Sequence, residues 1–224
     1  EELFKEEEQD NEEFDTFKRI NLNMVSFAYK KEELPILYNF NLDISANEKI
    51  VILGPNGCGK TTLSYLIMGL MKPSNGYITH NEKKLHNSKF YVNYVRKFSW
   101  LSQNITLFPY TVIENIELVN PLVKKEQISY LFEYFKLDKL ILTEHIDNLS
   151  SGQKQMILII RELLKDKEIY LMDEPTSYLD KERTSLLINY IQKQKKTFII
   201  ISHDEDIKAL PYKQVILGDV NYEK

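Results

Sequence analysis

Eight consecutive residues, Gly54-Pro55-Asn56-Gly57-Cys58-Gly59-Lys60-Thr61, match the spacing G-x-x-x-x-G-K-[ST]. That spacing suits a polyphosphate. A phosphate chain needs several backbone N–H groups aimed inward, and side chains at the glycine positions would block its approach. A helix starting at the end of the loop adds the positive end of its dipole. Lys60 brings positive charge to the terminal phosphates, Thr61 offers a hydroxyl to Mg²⁺, and Thr62 can donate to a phosphate oxygen. Pro55, Asn56 and Cys58 complete the cradle between the glycines, with no separate chemistry assigned to the thiol. Farther along, Ile169-Tyr170-Leu171-Met172-Asp173-Glu174 is an apolar run ending in two acids. Asp173 suits Mg²⁺, which favours a few carboxylates, waters and phosphate oxygens. Glu174 suits an attacking water, as its general base or its positioning group.

These groups need rigid carriers. Ile20–Tyr29 and Leu37–Ile44 alternate apolar and polar residues, which predicts antiparallel strands with one buried face. Ile50–Leu53, Phe98–Leu101, Ile169–Met172 and Thr197–Ile201 are short continuous apolar runs, the pattern of parallel strands buried on both faces. Helical stripes lie between them: Leu63, Leu66, Ile67 and Leu70 after the first run, and Ile157, Ile160, Leu163 and Leu164 before the third. Strands alternating with helices predict an α/β sheet. Each run ends in polar or glycine chemistry, at Gly54, Gln103, Asp173–Glu174 and His203. In open α/β sheets, ligands bind beyond the carboxyl ends of the strands. A parallel arrangement therefore delivers all four groups to one edge.

Length and composition agree with such a core. The chain has 224 residues, 43% apolar and 28% charged, with a formal net charge of −4. This describes a globular chain able to bury a sizeable interior. One cysteine excludes an internal disulfide and a cysteine-based metal cage, and fits a reducing compartment. No stretch approaches the ~20 continuous apolar residues of a membrane span. No basic tract suggests binding to nucleic acid. His80, His86 and His145 lack metal-ligand spacing and read as surface groups. Residues 1–15 hold nine acidic residues and one lysine, a charge block expected to be a solvated segment.

Between the two phosphate motifs stands Leu149-Ser150-Ser151-Gly152-Gln153. With it, the chain resembles an ATP-binding-cassette (ABC) ATPase domain over about residues 19–218. The signature LSGGQ of that family is matched except for Ser151, which replaces its first glycine. Four of the seven glycines (Gly54, Gly57, Gly59 and Gly152) fall in these motifs. The resemblance implies a P-loop nucleoside-triphosphatase core with a mostly parallel sheet, an antiparallel β subdomain and an α-helical signature subdomain at about 104–165. It implies ATP and Mg²⁺ as cofactors. Tyr29 corresponds to the aromatic residue that stacks on adenine. Gln103 corresponds to the glutamine that contacts Mg²⁺ and water and senses the coupled domain. Ser177-Tyr178-Leu179-Asp180 matches the segment that places Asp180 near nucleotide, and His203 the histidine on the γ-phosphate.

The signature also implies a partner. Ser150, Gly152 and Gln153 open a helix, another anion site, which in this family caps the γ-phosphate held by a second copy. A head-to-tail homodimer around two ATP is the expected consequence, with Ser151 weakening closure by its extra Cβ. Arg96, Gln103, Leu107-Phe108 and Thr111-Val112-Ile113-Glu114-Asn115-Ile116 resemble a segment typical of exporters with a fused membrane domain. Residues 1–18 are then expected to be a linker following a transmembrane domain, and 19–224 the ATPase, at the cytoplasmic face of a membrane, a bacterial inner membrane fitting best. Thr143-Glu144-His145-Ile146-Asp147-Asn148 lacks the glycine usual in exporters. The alternative is a separate ATPase subunit of an importer or two-component exporter. A non-catalytic cassette is disfavoured by intact Lys60, Asp173, Glu174 and His203.

Overall fold

The four apolar runs form the interior of one sheet. The computed structural model describes residues 16–30, 34–85, 91–103 and 106–218. The acidic run at 1–15 and His86 lie outside these. In chain order the elements are β1 (Arg19–Phe27), β2 (Leu37–Ser45), β3 (Lys49–Leu53), α1 (Lys60–Ile67), β4 (Asn75–His80), β5 (Lys83–Lys84), α2 (Tyr91–Val95), β6 (Phe98–Leu101), α3 (Val112–Glu117), α4 (Lys125–Tyr134), α5 (Ser151–Leu163), β7 (Ile169–Asp173), α6 (Lys181–Lys193), β8 (Thr197–Ile201), α7 (Glu205–Lys208) and β9 (Lys213–Ile216).

Two sheets result. The first is antiparallel, in the order β2-β1-β4-β5, and the second runs β6-β7-β8-β3-β9 with every pairing parallel. Alternation along the parallel strands sorts their side chains between two cores. Ile50, Ile52, Ile169, Leu171, Ile199 and Ile201 join Leu63, Leu66 and Ile67 of α1 and the inner face of the antiparallel sheet. Val51, Tyr170, Met172, Phe198 and Ile200 join α5, α6 and the helices of residues 112–137. Burying each such Ile or Leu contributes about 1.5–3 kcal/mol. The helix after the phosphate loop is thus held between both sheets, with little freedom to move its first turn.

Residues 112–163 carry the helices α3, α4 and α5, with α3 capped by Thr111 through a full capping box. Phe132 and Phe135 are fully buried there. At the far end of α5, the buried Glu162 accepts hydrogen bonds from Ser99 Oγ (2.8 Å) and Lys165 Nζ (2.6 Å). This ties α5 to β6, the strand that leads to Gln103.

Two local expectations change. Leu70 belongs to no buried stripe: α1 ends at Ile67, and Leu70 is exposed in the following turn. His80 is a core residue, 5% exposed, between the rings of Phe17 and Tyr94. It pairs with Ile20 across the β1–β4 ladder, and the two-residue period turns it inward. His145 stays at the surface and caps the turn at Ile146–Asn148. Among the described residues, packing begins at Phe17, whose N–H donates to Glu168 Oε2 at 2.7 Å while Lys97 Nζ holds the other oxygen at 2.6 Å.

Candidate functional site

Parallel pairing brings the strand ends together. The register sets Asp173 beside Ile201, the residue before Ser202 and His203, and β3 delivers Gly54 along the same edge. A cleft of about 670 Å³ opens there. It is lined by Tyr29, Ile36, Asn56, Gly57, Gly59, Lys60, Thr61, Thr62, Gln103, Asp173, Glu174, Ser177 and His203. Gly59 caps α1 with φ +99°, and a Cβ there would stand 2.5 Å from Ile36 Cγ2, so only glycine lets the loop close under Ile36. No side chain caps α1, which leaves its first-turn N–H groups for an anion.

Lys60 folds back on its own loop. Its Nζ donates to the carbonyls of Gly54 and Pro55, both at 2.8 Å. These are neutral acceptors, and an ionised phosphate is a stronger one. Cys58 donates its backbone N–H to Pro55 O at 3.4 Å. Tyr29 is 56% exposed at the mouth of the cleft, with its hydroxyl 3.0 Å from Thr62 Oγ1 and its ring edge-on to Phe27.

The two acids differ. Burial, then the neighbouring Glu174, pushes the Asp173 carboxyl above the usual range, with Lys60 and His203 opposing. Glu174 has φ +50°, a left-handed backbone rare for a residue with a side chain. Its N–H donates to Ile201 O at 2.8 Å. One carboxylate oxygen, Oε2, accepts long hydrogen bonds from Ser202 Oγ and the His203 N–H. The other, Oε1, is buried without a hydrogen bond, 3.7 Å from His203 Nε2. A buried acceptor left open is suited to a water or a substrate proton.

Mg²⁺ fits this donor set. Two adjacent carboxylates, one held above its usual pKa range, favour a nearby cation. No group of three His, Cys, Asp or Glu suits a metal among the described residues. The cation would rest on Asp173, the Thr61 hydroxyl and Gln103, with phosphate oxygens completing its shell.

Seven expected residues do not line the cleft: Gly54, Pro55 and Cys58 of the loop itself, and four from other segments. Ser150, Gly152 and Gln153 lie at the start of α5, where the Ser150 and Gln153 side chains cap each other's backbone N–H. Asp180 caps α6 and pairs with Arg183 at 2.7 Å. Two lining residues carry no site role from the sequence: Ile36, and Ser177, which is named only as part of the segment ending at Asp180. Ser177 sits three residues after Glu174, so the acidic motif pointed near it. Ile36 arrives by its N–H bond to Phe27 O and by packing on Gly59, which no spacing reveals.

A parallel sheet with a glycine-rich loop, a lysine and two acids at its carboxyl edge defines a P-loop nucleotide-hydrolysing fold. Comparison with known proteins narrows this. The family described as ABC transporter matches residues 37–177. The uncharacterized ABC transporter ATP-binding protein YvrO of Bacillus subtilis is 34% identical over 89% of this chain and 93% of its own length. The spermidine/putrescine import ATP-binding protein PotA of Clostridioides difficile is 34% identical over 88% of this chain, which spans 58% of that protein. A bacterial Atm1-family ABC exporter with ATP bound shares the fold, with a TM-score of 0.80 at 21% identity over 90% of this chain and 37% of that one. The chain belongs to the ABC transporter family and is its ATP-binding, ATP-hydrolysing domain.

Proposed function

We propose that this domain pairs head-to-tail with a second copy around two ATP molecules, and that closing and reopening the pair powers export across a membrane. One observation carries the pairing: the cleft holds every phosphate group's partner except a lid, while the signature turn stands capped and exposed on another part of the same chain. Such a turn suits the nucleotide of a second molecule.

In the mechanism, ATP lies along the loop with adenine against the exposed ring of Tyr29. Lys60 leaves the Gly54 and Pro55 carbonyls for the terminal phosphates. Thr61, Asp173 and Gln103 would hold Mg²⁺, which when bound would supply positive charge at the phosphate oxygens. Glu174 accepts a hydrogen bond from a water at its open Oε1 and aligns it with the γ-phosphorus. As the water oxygen bonds phosphorus, the bond to the ADP oxygen breaks, and Glu174 takes up the water's proton. His203, beside Glu174, donates to the γ-phosphate. Positioning and electrostatics supply most of the rate.

Export is supported by the resemblance of the segment Arg96 to Ile116, with its exposed Phe108 and Tyr110, to that of exporters. Tyr110, Glu114, Glu117, Leu118 and Pro121 line a groove of about 430 Å³ downstream of Gln103. A cytoplasmic segment of the membrane partner fits there, with residues 1–18 as the linker from a fused membrane domain and the ATPase at the cytoplasmic face. The second reading is a separate ATPase subunit, and it is favoured by the near-complete span of YvrO.

Glu174→Gln tests the core of this reading. Hydrolysis is expected to fall by about 10²-fold or more. Sedimentation in ATP and Mg²⁺ should then reveal a dimer that the nucleotide-free protein lacks. A monomer under those conditions overturns the pairing.

A further inference from the structure

The loop after Glu174 holds two residues in the left-handed backbone region, Glu174 at φ +50° and Tyr178 at φ +66°. Residues with side chains stay there only when their surroundings hold them. Three contacts do so. The Glu174 N–H donates to Ile201 O of β8 at 2.8 Å. The other two come from α5. Gln155 Nε2 donates to Pro175 O at 3.1 Å. Gly152 lies so close to Tyr178 O that a Cβ at 152 would stand 2.8 Å from it. The helix that begins at the signature turn therefore touches the loop at two points, one of them the carbonyl directly after Glu174. Gln155 itself does not line the cleft.

We propose that Gln155 is a positioning residue for hydrolysis: its amide ties the signature helix to the Pro175 carbonyl, so that seating the signature turn on a second copy's nucleotide sets Glu174 in this chain's own cleft. This rests on the reading above, in which Glu174 acts on water and two copies pair. The capping box makes the first turn of α5 stiff. A shift of that turn consequently moves the Pro175 carbonyl, and with it the backbone of Glu174. ATP binding draws on none of these contacts, so the device acts on turnover.

Steady-state hydrolysis by the full chain tests it. Gln155→Met removes the donor at similar length. It should lower kcat by about tenfold to a hundredfold and leave the KM for ATP within about twofold. Gln155→Glu, equal in size but acceptor-only, should show the same loss, and Gln155→Lys, which keeps a donor, should regain most of the rate. In a Glu174→Gln background, Gln155→Met should add no further loss, because it acts through Glu174. A wild-type kcat in both donor-less variants, a change in KM alone, or a full additional loss in the double variant overturns the proposal. A Glu174→Gln protein that hydrolyses ATP at the wild-type rate refutes the underlying role of Glu174 instead, and the proposal with it.

Discussion

Two helices of this molecule begin at motifs that the sequence assigns to phosphate, and they begin differently. α1 starts at Gly59 with no side-chain cap, and around its open end stand Lys60, Thr61, Thr62, Tyr29 and two carboxylates. α5 starts at Ser150 with a complete capping box, and none of its first-turn residues lines that cleft. An uncapped end held between two sheets keeps its N–H groups for a ligand and relies on packing for stability. A capped end on a smaller helical subdomain supplies its own stability and offers little charge. One end is most of a binding site. The other, under the proposed pairing, serves as a lid whose value lies in where a second copy sets it.

The sharpest way to break this contrast is Lys60→Ala. Loss of the only loop cation should reduce ATP affinity by about 2–5 kcal/mol, measured by equilibrium binding. Affinity at the wild-type level would mean that the N–H groups of α1 suffice, and the two helix ends would then be equivalent. Gly152→Ala probes the other end. A Cβ meeting the Tyr178 carbonyl forces backbone to shift, at a cost of about 1–3 kcal/mol. It should slow hydrolysis while the ATP affinity of a single copy stays unchanged. Weakened binding by the single copy would erase the division of labour. The smallest expected effect is that of Tyr29→Phe. It keeps the ring but loses the bond to Thr62 Oγ1, and should lower ATP affinity by about 0.5–1.5 kcal/mol. No change would leave the ring alone as the contribution of Tyr29.

The motifs were legible because their chemistry is local. A phosphate loop, an acidic strand end and a capped signature each fit within eight residues, and each buried strand is a run of like residues. The four strands appear where those runs lie, and Gln103, Asp173, Glu174 and His203 meet at one edge because the strands are parallel. What escaped is what arises between distant segments. Ile36 enters the cleft through packing on Gly59, and β9 is too short and too polar to read as a strand. His80 looked like a surface residue until β1 and β4 paired and turned it between two rings.

The sequence by itself determined which residues are the candidates for handling phosphate, since that choice depends on residue type and on spacing along a few turns of chain. It also carried the family, through the order of the motifs. Only the tertiary structure decided that the signature turn sits outside its own cleft, that Lys60 rests on carbonyls, that one Glu174 oxygen is left open, and that Gln155 grips the loop beside it. Those facts depend on how two sheets and a helical subdomain pack, and packing sums weak contacts between residues far apart in the chain, so no short stretch of sequence encodes it.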